Sequence, residues 1–408
     1  MMNKYGLLGE KLSHSISPRI QSEFGVSSYS LFCKKKDELY EFFSDENISG
    51  FNVTIPYKIE AYKRCDFLSE TAQKTGSVNT VVRKEKLYGY NTDVFGFEYA
   101  AKKSGLSFNQ KKVLILGSGG ASKSVEFSAQ KNGAKEVIIV SRNGKDNYEN
   151  ISKHFDSEII INATPVGMFP DTGKSLIDLS KFYNAEFVFD LIYNPLKTKL
   201  VLDAEKLGIP CSNGLLMLVA QAYRSAELFL NQRIDEAFIE KTYKKILSEQ
   251  KNIVLIGMPS CGKTTVGKKI AEILQKDFVD TDEEIVKNTN KKIEETFSEN
   301  GEDFFRKTEA EIIKKISKKS GQIIATGGGA VLKEENRNAL AQNGVIVYLK
   351  RDFSLASFSG RPLMKNEDDL KKLYACRKEI YENFAEITVE SDCEIEVVAR
   401  KVIECVFL

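Results

Sequence analysis

Two short apolar runs, each followed at once by a glycine-rich loop and a helix-like stretch, constrain this chain more than any other feature. The first is Val113-Leu114-Ile115-Leu116, running into Gly117-Ser118-Gly119-Gly120-Ala121-Ser122. The second is Ile253-Val254-Leu255-Ile256, running into Gly257-Met258-Pro259-Ser260-Cys261-Gly262-Lys263-Thr264. A strand that turns through glycines into a helix N-terminus aims backbone N–H groups and the positive end of a helix dipole at an anion. Each unit therefore predicts the start of a nucleotide-binding sheet. Short apolar runs alternate with helix-like stretches elsewhere, so the expected class is α/β with largely parallel sheets. A length of 408 residues allows two to three domains. The charged segment Lys241–Asn252 reads as a helix end running into a linker, which places a boundary near Gln250.

Composition narrows the partners. Lys and Arg sum to 59 and Asp and Glu to 57, a net charge of +2, which gives no general field for nucleic acid or an anionic membrane. No apolar run approaches the ~18–20 residues that span a bilayer. The opening Met1-Met2-Asn3-Lys4-Tyr5-Gly6 lacks the layout of a signal peptide. Seven scattered cysteines without a C-x-x-C, beside two histidines, offer no zinc spacing and no disulfide framework. The expectation is a cytoplasmic protein with small-molecule substrates, bound to neither nucleic acid nor membrane, whose acid–base chemistry falls to Lys, Asp or Glu. Oligomeric state is left open.

In the first loop, Gly117 and Gly119 permit a tight turn and close approach of a pyrophosphate. The G-x-G-x-x-G/A pattern departs at its last position, Ser122. The next apolar run, Glu136–Val140, ends in Ser141-Arg142-Asn143, about 20 residues after the loop, where an acid would hold the 2′-hydroxyl of NAD. Arg142 suits a 2′-phosphate instead and argues for NADP. Taken singly, the loop also reads as an ordinary tight turn and Arg142 as a solvated surface residue.

The second loop fits the full P-loop pattern. Its backbone would cradle phosphates, Lys263 would reach the β and γ phosphates, and the Thr264 hydroxyl would ligate Mg²⁺. Cys261 reads as a small residue fitting a tight turn rather than a redox switch.

Six further segments occur in order: His14-Ser15-Ile16-Ser17-Pro18, Gly50–Lys58 (G-F-N-V-T-I-P-Y-K), Gly76–Thr80, Gly89–Asp93, Asn162–Met168 and Asn213–Ala222. This series resembles shikimate dehydrogenase over residues 3–245. The resemblance implies reduction of 3-dehydroshikimate to shikimate by NADPH. By matching positions, Ser15 and Ser17 would hold the substrate carboxylate, and Thr54, Asn79, Tyr193 and Gln221 its other groups. Lys58 and Asp93 would be the catalytic pair. Gly117, Gly119, Gly120, Ala121, Ser122, Ser141, Arg142, Leu191 and Gly214 would line the cofactor, and His14 would brace the serine loop. The chemistry agrees: hydride arriving at a ketone carbon leaves charge on oxygen, which a cationic donor stabilises and protonates. In isolation Lys58 and Asp93 would read as a surface ion pair. Ser141-Arg142-Asn143 stands where the family commonly has Asn-Arg-Thr, keeping the basic residue. Glu10-Lys11-Leu12 replaces a commoner proline-containing approach to the serine loop.

Downstream of the P-loop come Asp280-Thr281-Asp282, Phe305-Arg306-Lys307-Thr308-Glu309, Gly327-Gly328-Gly329, Arg361-Pro362-Leu363-Met364, and Arg377 before Tyr381. Together they resemble shikimate kinase over residues 251–405. By matching positions, Asp282 would hold the shikimate hydroxyls and activate the attacking one. Arg306 and Arg377 would grip the carboxylate, a planar fork meeting two oxygens. Gly327, Gly328 and Gly329 would let backbone amides approach substrate and γ-phosphate. Gly257, Ser260, Gly262, Lys263, Thr264, Thr265 and a lid residue, Arg361, would bind ATP, with Lys263 and Arg361 meeting the transferring group. Thr264 and Asp280 would hold Mg²⁺, the latter through water. The plain alternatives are a helix-capping Asp pair and solvated arginines.

The two resemblances converge on one metabolite, because the hydroxyl made by the first chemistry is the one phosphorylated by the second. The expected organisation is a substrate lobe of residues 1–98 with 213–245, a Rossmann-like NADP lobe of 99–212 and a P-loop kinase domain of 251–408. Two rivals remain: a catabolic quinate/shikimate dehydrogenase fused to a small-metabolite kinase, and a catalytically dead metabolite sensor. Comparing quinate with shikimate and NADH with NADPH separates the first, and activity itself separates the second.

Overall fold

A computed structural model describes residues 4–13, 15–351 and 367–407, without side chains for 367–370. It forms two compact units. The first comprises residues 1–168, 174–193 and 203–246, and the second 169–173, 194–202 and 247–408.

The first unit holds two sheets. One runs β2-β1-β3-β5-β6-β4, built from β1 (Lys4–Gly9), β2 (Tyr29–Cys33), β3 (Ile48–Val53), β4 (Phe67–Leu68), β5 (Thr80–Arg83) and β6 (Leu87–Tyr90). Strand β5 is antiparallel to both neighbours, while the remaining pairs are parallel. The other sheet runs β11-β10-β9-β7-β8 and is wholly parallel, with β7 (Lys112–Leu116), β8 (Glu136–Val140), β9 (Ile159–Asn162), β10 (Phe187–Asp190) and β11 (Cys211–Ser212). The apolar run read from the sequence at Val113–Leu116 is β7, buried throughout that run. Helices Asp93–Lys103 and Leu215–Leu230 pack tightly together: a Cβ on Gly96 would come within 2.6 Å of the Met217 carbonyl. Phe97 joins Val113, Ile115, Ile161 and Phe189 in the core of the parallel sheet.

The second unit is one parallel sheet, β13-β14-β12-β15-β16, formed by β12 (Asn252–Ile256), β13 (Asp277–Asp280), β14 (Gln322–Ala325), β15 (Gly344–Lys350) and β16 (Ile387–Glu390). Alternate residues of its central strands feed opposite cores. Val254, Ile256, Ile346 and Tyr348 enter one, and Ile253, Leu255, Val345 and Val347 the other. Burial on both faces explains why these strands read as unbroken apolar runs rather than as alternation.

The expected linker is a correction. Helix Ala237–Gln250 leads to β12 across Lys251 alone. The helix end is held by bonding, with Lys276 Nζ donating to the carbonyls of Ser248 (2.7 Å) and Lys251 (3.0 Å) and Gly321 N–H to that of Gln250 (3.1 Å). The helix-end carbonyls are satisfied by donors from later in the chain, Lys276 and Gly321, so the connector is tied down and not free. Residues 194–202 also belong to this unit: Leu196 N–H donates to Asn343 Oδ1 at 2.9 Å and Lys197 N–H to the Gln342 carbonyl at 2.8 Å.

Candidate active sites

The first site is assembled at strand ends. Strand β1 leads into the serine loop, where the Ser15 hydroxyl donates to Ser17 Oγ (3.1 Å) and accepts from the Ser17 N–H (3.3 Å). Thr54 follows β3 and packs its methyl against Gly9, and its N–H bonds the Leu8 carbonyl at 2.9 Å. Lys58 opens the next helix, Lys58–Arg64, and its ammonium meets Asp93 Oδ2 at 2.6 Å. The pair is largely enclosed, with side chains 14% and 6% exposed.

Asp93 is held from its other oxygen by Asn79 Nδ2 at 2.9 Å. Asn79 also donates to Thr92 Oγ1 (2.9 Å) and toward Gln221 Oε1 (3.4 Å), and its own oxygen accepts the Thr92 N–H at 2.7 Å. Lys58, Asn79, Asp93 and Gln221 thus meet in one polar cluster. Thr92 and Asn52 belong to it too, although sequence reasoning assigned them no role. Their signal was present, since both lie inside motifs quoted for their neighbours. Tyr193 is half-buried, and burial raises its phenol above the ordinary range.

The glycine loop reaches this cluster. Gly117 has φ +108°, a conformation that favours glycine, and Ser118 and Gly119 are exposed. Helix Gly120–Lys131 begins without a side-chain cap, and its first bond is Lys123 N–H to the Gly119 carbonyl, so the N–H groups of Gly120, Ala121 and Ser122 have no intrahelical acceptor. A Cβ on Gly120 would fall 2.9 Å from Lys58 Cβ. The position must be glycine for a phosphate-binding loop to lie directly beside the lysine. Ser122 is fully buried. Ser141 and exposed Arg142 follow β8. A Cβ on Gly214 would fall 1.9 Å from the Leu191 carbonyl, which brings these two expected cofactor positions into contact. These residues fit a dinucleotide: three N–H groups without an intrahelical acceptor, a glycine cradle and an exposed cation just past the next strand.

The second site surrounds the P-loop after β12, whose neighbours are β14 and β15. Gly257 (φ +142°), Ser260 (φ +69°) and Gly262 (φ +90°) turn the loop. Buried Lys263 donates to the carbonyls of Gly257 (3.0 Å) and Met258 (2.8 Å) and lies 3.6 Å from Cys261 Sγ. Thr265 is exposed on the following turn. The Thr264 hydroxyl donates to Asp280 Oδ2 at 2.6 Å, while Asp280 Oδ1 caps helix Thr281–Thr289 through the N–H of Asp282 and Glu283. Asp280 is therefore both the helix cap and the partner of Thr264. A hydroxyl beside a carboxylate at the end of a P-loop is an oxygen donor set that fits Mg²⁺.

Burial, with the nearby carboxylates of Asp280 and Glu309, pushes Asp282 up to about 6, against the pull of Lys263 and Arg306. Arg306 bonds Glu309 at 2.8 Å and Glu302 at 3.3 Å. Glu309 is 1% exposed and burial raises its carboxyl, opposed by Arg306, Arg377 and Lys333. The glycine run lies among these groups. A Cβ on Gly327 would fall 2.5 Å from Asp282 Oδ1, and one on Gly329 2.4 Å from Arg306 Nη1. The Gly328 carbonyl accepts the Tyr381 hydroxyl, and buried Arg377 lies against Tyr381. Glu309 and Tyr381 were quoted within motifs but given no function; the structure makes them the supports of Arg306 and Gly328. Arg361, like His14, lies outside the described residues.

Fold and sites define the class: a dinucleotide-dependent oxidoreductase unit followed by a P-loop phosphotransferase. Residues 7–81 match the shikimate dehydrogenase substrate binding domain and residues 259–407 match shikimate kinase. The chain belongs to the shikimate dehydrogenase family and carries a shikimate kinase domain after it. The shikimate dehydrogenase (NADP(+)) of Caldicellulosiruptor bescii is 39% identical over 259 residues, covering 56% of this chain and 90% of that protein. A crystal structure of shikimate dehydrogenase 1 from Peptoclostridium difficile has a TM-score of 0.57 at 35% identity, covering 60% of this chain and 98% of that one. A chorismate mutase/shikimate 5-dehydrogenase fusion from Clostridium acetobutylicum has a TM-score of 0.56 at 34% identity, with coverage of 60% and 98%. It is a different fusion.

Proposed function

We propose that this chain is a bifunctional enzyme of the shikimate pathway, reducing 3-dehydroshikimate to shikimate and then phosphorylating shikimate to shikimate 3-phosphate. When bound, NADPH supplies the hydride, and ATP with Mg²⁺ supplies the phosphoryl group. The observation that carries the reading is the Lys58–Asp93 pair at 2.6 Å with Gly120 packed against Lys58. Lys58 gives its proton to the ketone oxygen as charge builds there, and Asp93 holds the ammonium in line. Ser15 and Ser17 hold the substrate carboxylate, and Thr54, Asn79, Tyr193 and Gln221 its other groups. The backbone of Gly117–Ser122, with Ser141, Leu191 and Gly214, lines the cofactor, and Arg142 meets its 2′-phosphate.

In the second unit, Asp282 orients the shikimate hydroxyls and takes the proton of the attacking one. Arg306 and Arg377 bind the carboxylate. Gly257, Ser260, Gly262, Lys263, Thr264 and Thr265 hold the nucleotide phosphates, joined by Arg361, and Thr264 with Asp280 holds the metal. The glycines 327–329 admit substrate between Asp282 and Arg306. We assign residues 1–98 with 213–245 to substrate binding, 99–212 to NADP and 251–408 to the kinase. No helix among the described residues is long and apolar enough to cross a membrane, and all seven cysteines are free thiols. The free thiols support a reducing, cytoplasmic setting.

One coupled assay tests the reading: 3-dehydroshikimate, NADPH and MgATP, followed to shikimate 3-phosphate. NADPH oxidation without phosphorylation removes the kinase assignment. Neither activity leaves the sensor reading.

A further inference from the structure

Gln21 lies on helix Ser17–Glu23, directly after the serine loop, and is 1% exposed. Its Nε2 donates to Ser225 Oγ at 2.8 Å, and to Asn52 Oδ1 and the Ala222 carbonyl at 3.3 Å each. Oε1 has no hydrogen-bond partner among the described residues, so all the bonding is from the donor side. The orientation follows from the acceptors. The carbonyls of Asn79 and Ala222 can only accept. Asn52 must therefore turn Nδ2 to the first (3.3 Å), which leaves its oxygen for Gln21 and for the Tyr29 hydroxyl (2.7 Å).

The three partners tie together three elements, each bearing a residue of the proposed substrate site. Ser17 opens Gln21's own helix. Asn52 is near the end of β3, just before Thr54. Ala222 and Ser225 are on helix Leu215–Leu230, which also carries Gln221. Asn52 continues the link, with Nδ2 donating to Thr80 Oγ1 at 2.9 Å beside Asn79, which holds Asp93.

We infer that Gln21 is a positioning residue for the substrate pocket, setting the spacing of the serine loop, the Thr54 strand and the Gln221 helix through one buried amide. This rests on the functional reading above. A carboxylate at this place would face the acceptors Asn52 Oδ1 and Ala222 O, and an apolar side chain would remove the one donor that joins them, leaving Asn52 Oδ1 to the Tyr29 and Ser225 hydroxyls and Ala222 O to the Ser225 hydroxyl. Loss of the amide lets the walls that grip substrate relax while the Lys58–Asp93 contact stays.

The test is Gln21→Met in the full chain, with Ser225→Ala as a milder variant that keeps the amide and removes the shortest of its three bonds together with the hydroxyl's own bonds to Ala222 O (2.9 Å) and Asn52 Oδ1 (3.4 Å). For Gln21→Met the KM for 3-dehydroshikimate should rise about tenfold, and the shikimate dissociation constant by calorimetry should rise in parallel. The KM for NADPH and the kinase activity should stay within twofold. Ser225→Ala should move the same two quantities two- to threefold, and it decides the matter if Gln21→Met does not fold. A purely structural role would lower the melting temperature and the active fraction at unchanged KM and dissociation constant, and that result overturns the inference. A wild-type chain that neither reduces 3-dehydroshikimate nor binds shikimate overturns the functional reading and this inference with it. A wild type that does both, with variants unchanged, overturns this inference alone.

Discussion

The two sites each pair a lysine with an aspartate in sequence, yet they treat the pair differently. In the first unit Lys58 and Asp93 touch, and Asn79 holds the far carboxylate oxygen. Each charge faces its opposite, so the local set is balanced. In the second unit Lys263 faces two neutral carbonyls and a sulfur, while Asp282 is crowded by Asp280 and Glu309 and raised to about 6. The difference follows from the chemistry each must do. A ketone is neutral, so a balanced pair meets it at little electrostatic cost, and charge develops only during reaction. ATP brings several negative charges, which a cation committed only to backbone dipoles can take up by exchanging neutral acceptors for anionic ones.

Removing each lysine should separate the halves. Lys58→Ala should cut dehydroshikimate reduction about 10³-fold with phosphorylation near normal, and Lys263→Ala should do the converse. Steady-state rates of both reactions on each variant check this, and loss of both activities in either variant would mean the two halves are not independent catalytic sets.

Two glycines sharpen the contrast next. A Cβ on Gly329 would strike the movable end of Arg306, whereas one on Gly214 would fall 1.9 Å from the Leu191 backbone carbonyl. Gly329→Ala should raise the kinase KM for shikimate about tenfold with an unchanged melting temperature. Gly214→Ala should destabilise the first unit by about 1–3 kcal/mol and weaken dehydrogenase activity, because backbone must move. Calorimetry beside KM values distinguishes strain from a displaced ligand group.

Arg142→Ala should raise the KM for NADPH about tenfold and leave that for NADH unchanged, since only the 2′-phosphate loses a partner. Equal effects on both cofactors would remove Arg142 from the 2′-phosphate site.

The smallest expected effect is on pH. A base at about 6 should give the kinase kcat/KM an acid limb near pH 6, read from a pH–rate profile. The sign for stability is the reverse. With the folded value raised from 3.8 to about 6, Asp282 binds more protons folded than unfolded across that window. Its contribution is present below the ordinary value and is lost as pH rises through about 6. A kinase limb well below pH 5 would place Asp282 outside proton transfer.

Legibility differed from part to part. The strands behind both glycine loops were plain because parallel strands buried on two faces are continuous apolar runs, as β12 is. The lysine, aspartate and glycine positions were legible because they sit in tight motifs. The supporting residues were not. Gln21 reads in sequence as one polar residue of a short helix, and it gains meaning only through Asn52 and Ser225, 31 and 204 residues away along the chain. Glu309 likewise carried no sign in isolation of being buried against Arg306. The stretch before β12 reads as a linker because the groups that tie its helix-end carbonyls down, Lys276 and the Gly321 N–H, lie about 25 and 70 residues further along the chain.

From the order of residues alone come the α/β class, two nucleotide loops and the residues placed nearest the chemistry, because these depend on local backbone geometry and side-chain type. Folding adds what depends on distance: that Gly120 lies against Lys58, that Asp282 is desolvated beside two other acids, and that one amide joins three elements of the proposed substrate site. Desolvation and hydrogen bonding between remote segments depend on which groups share a buried volume, and no local pattern records that.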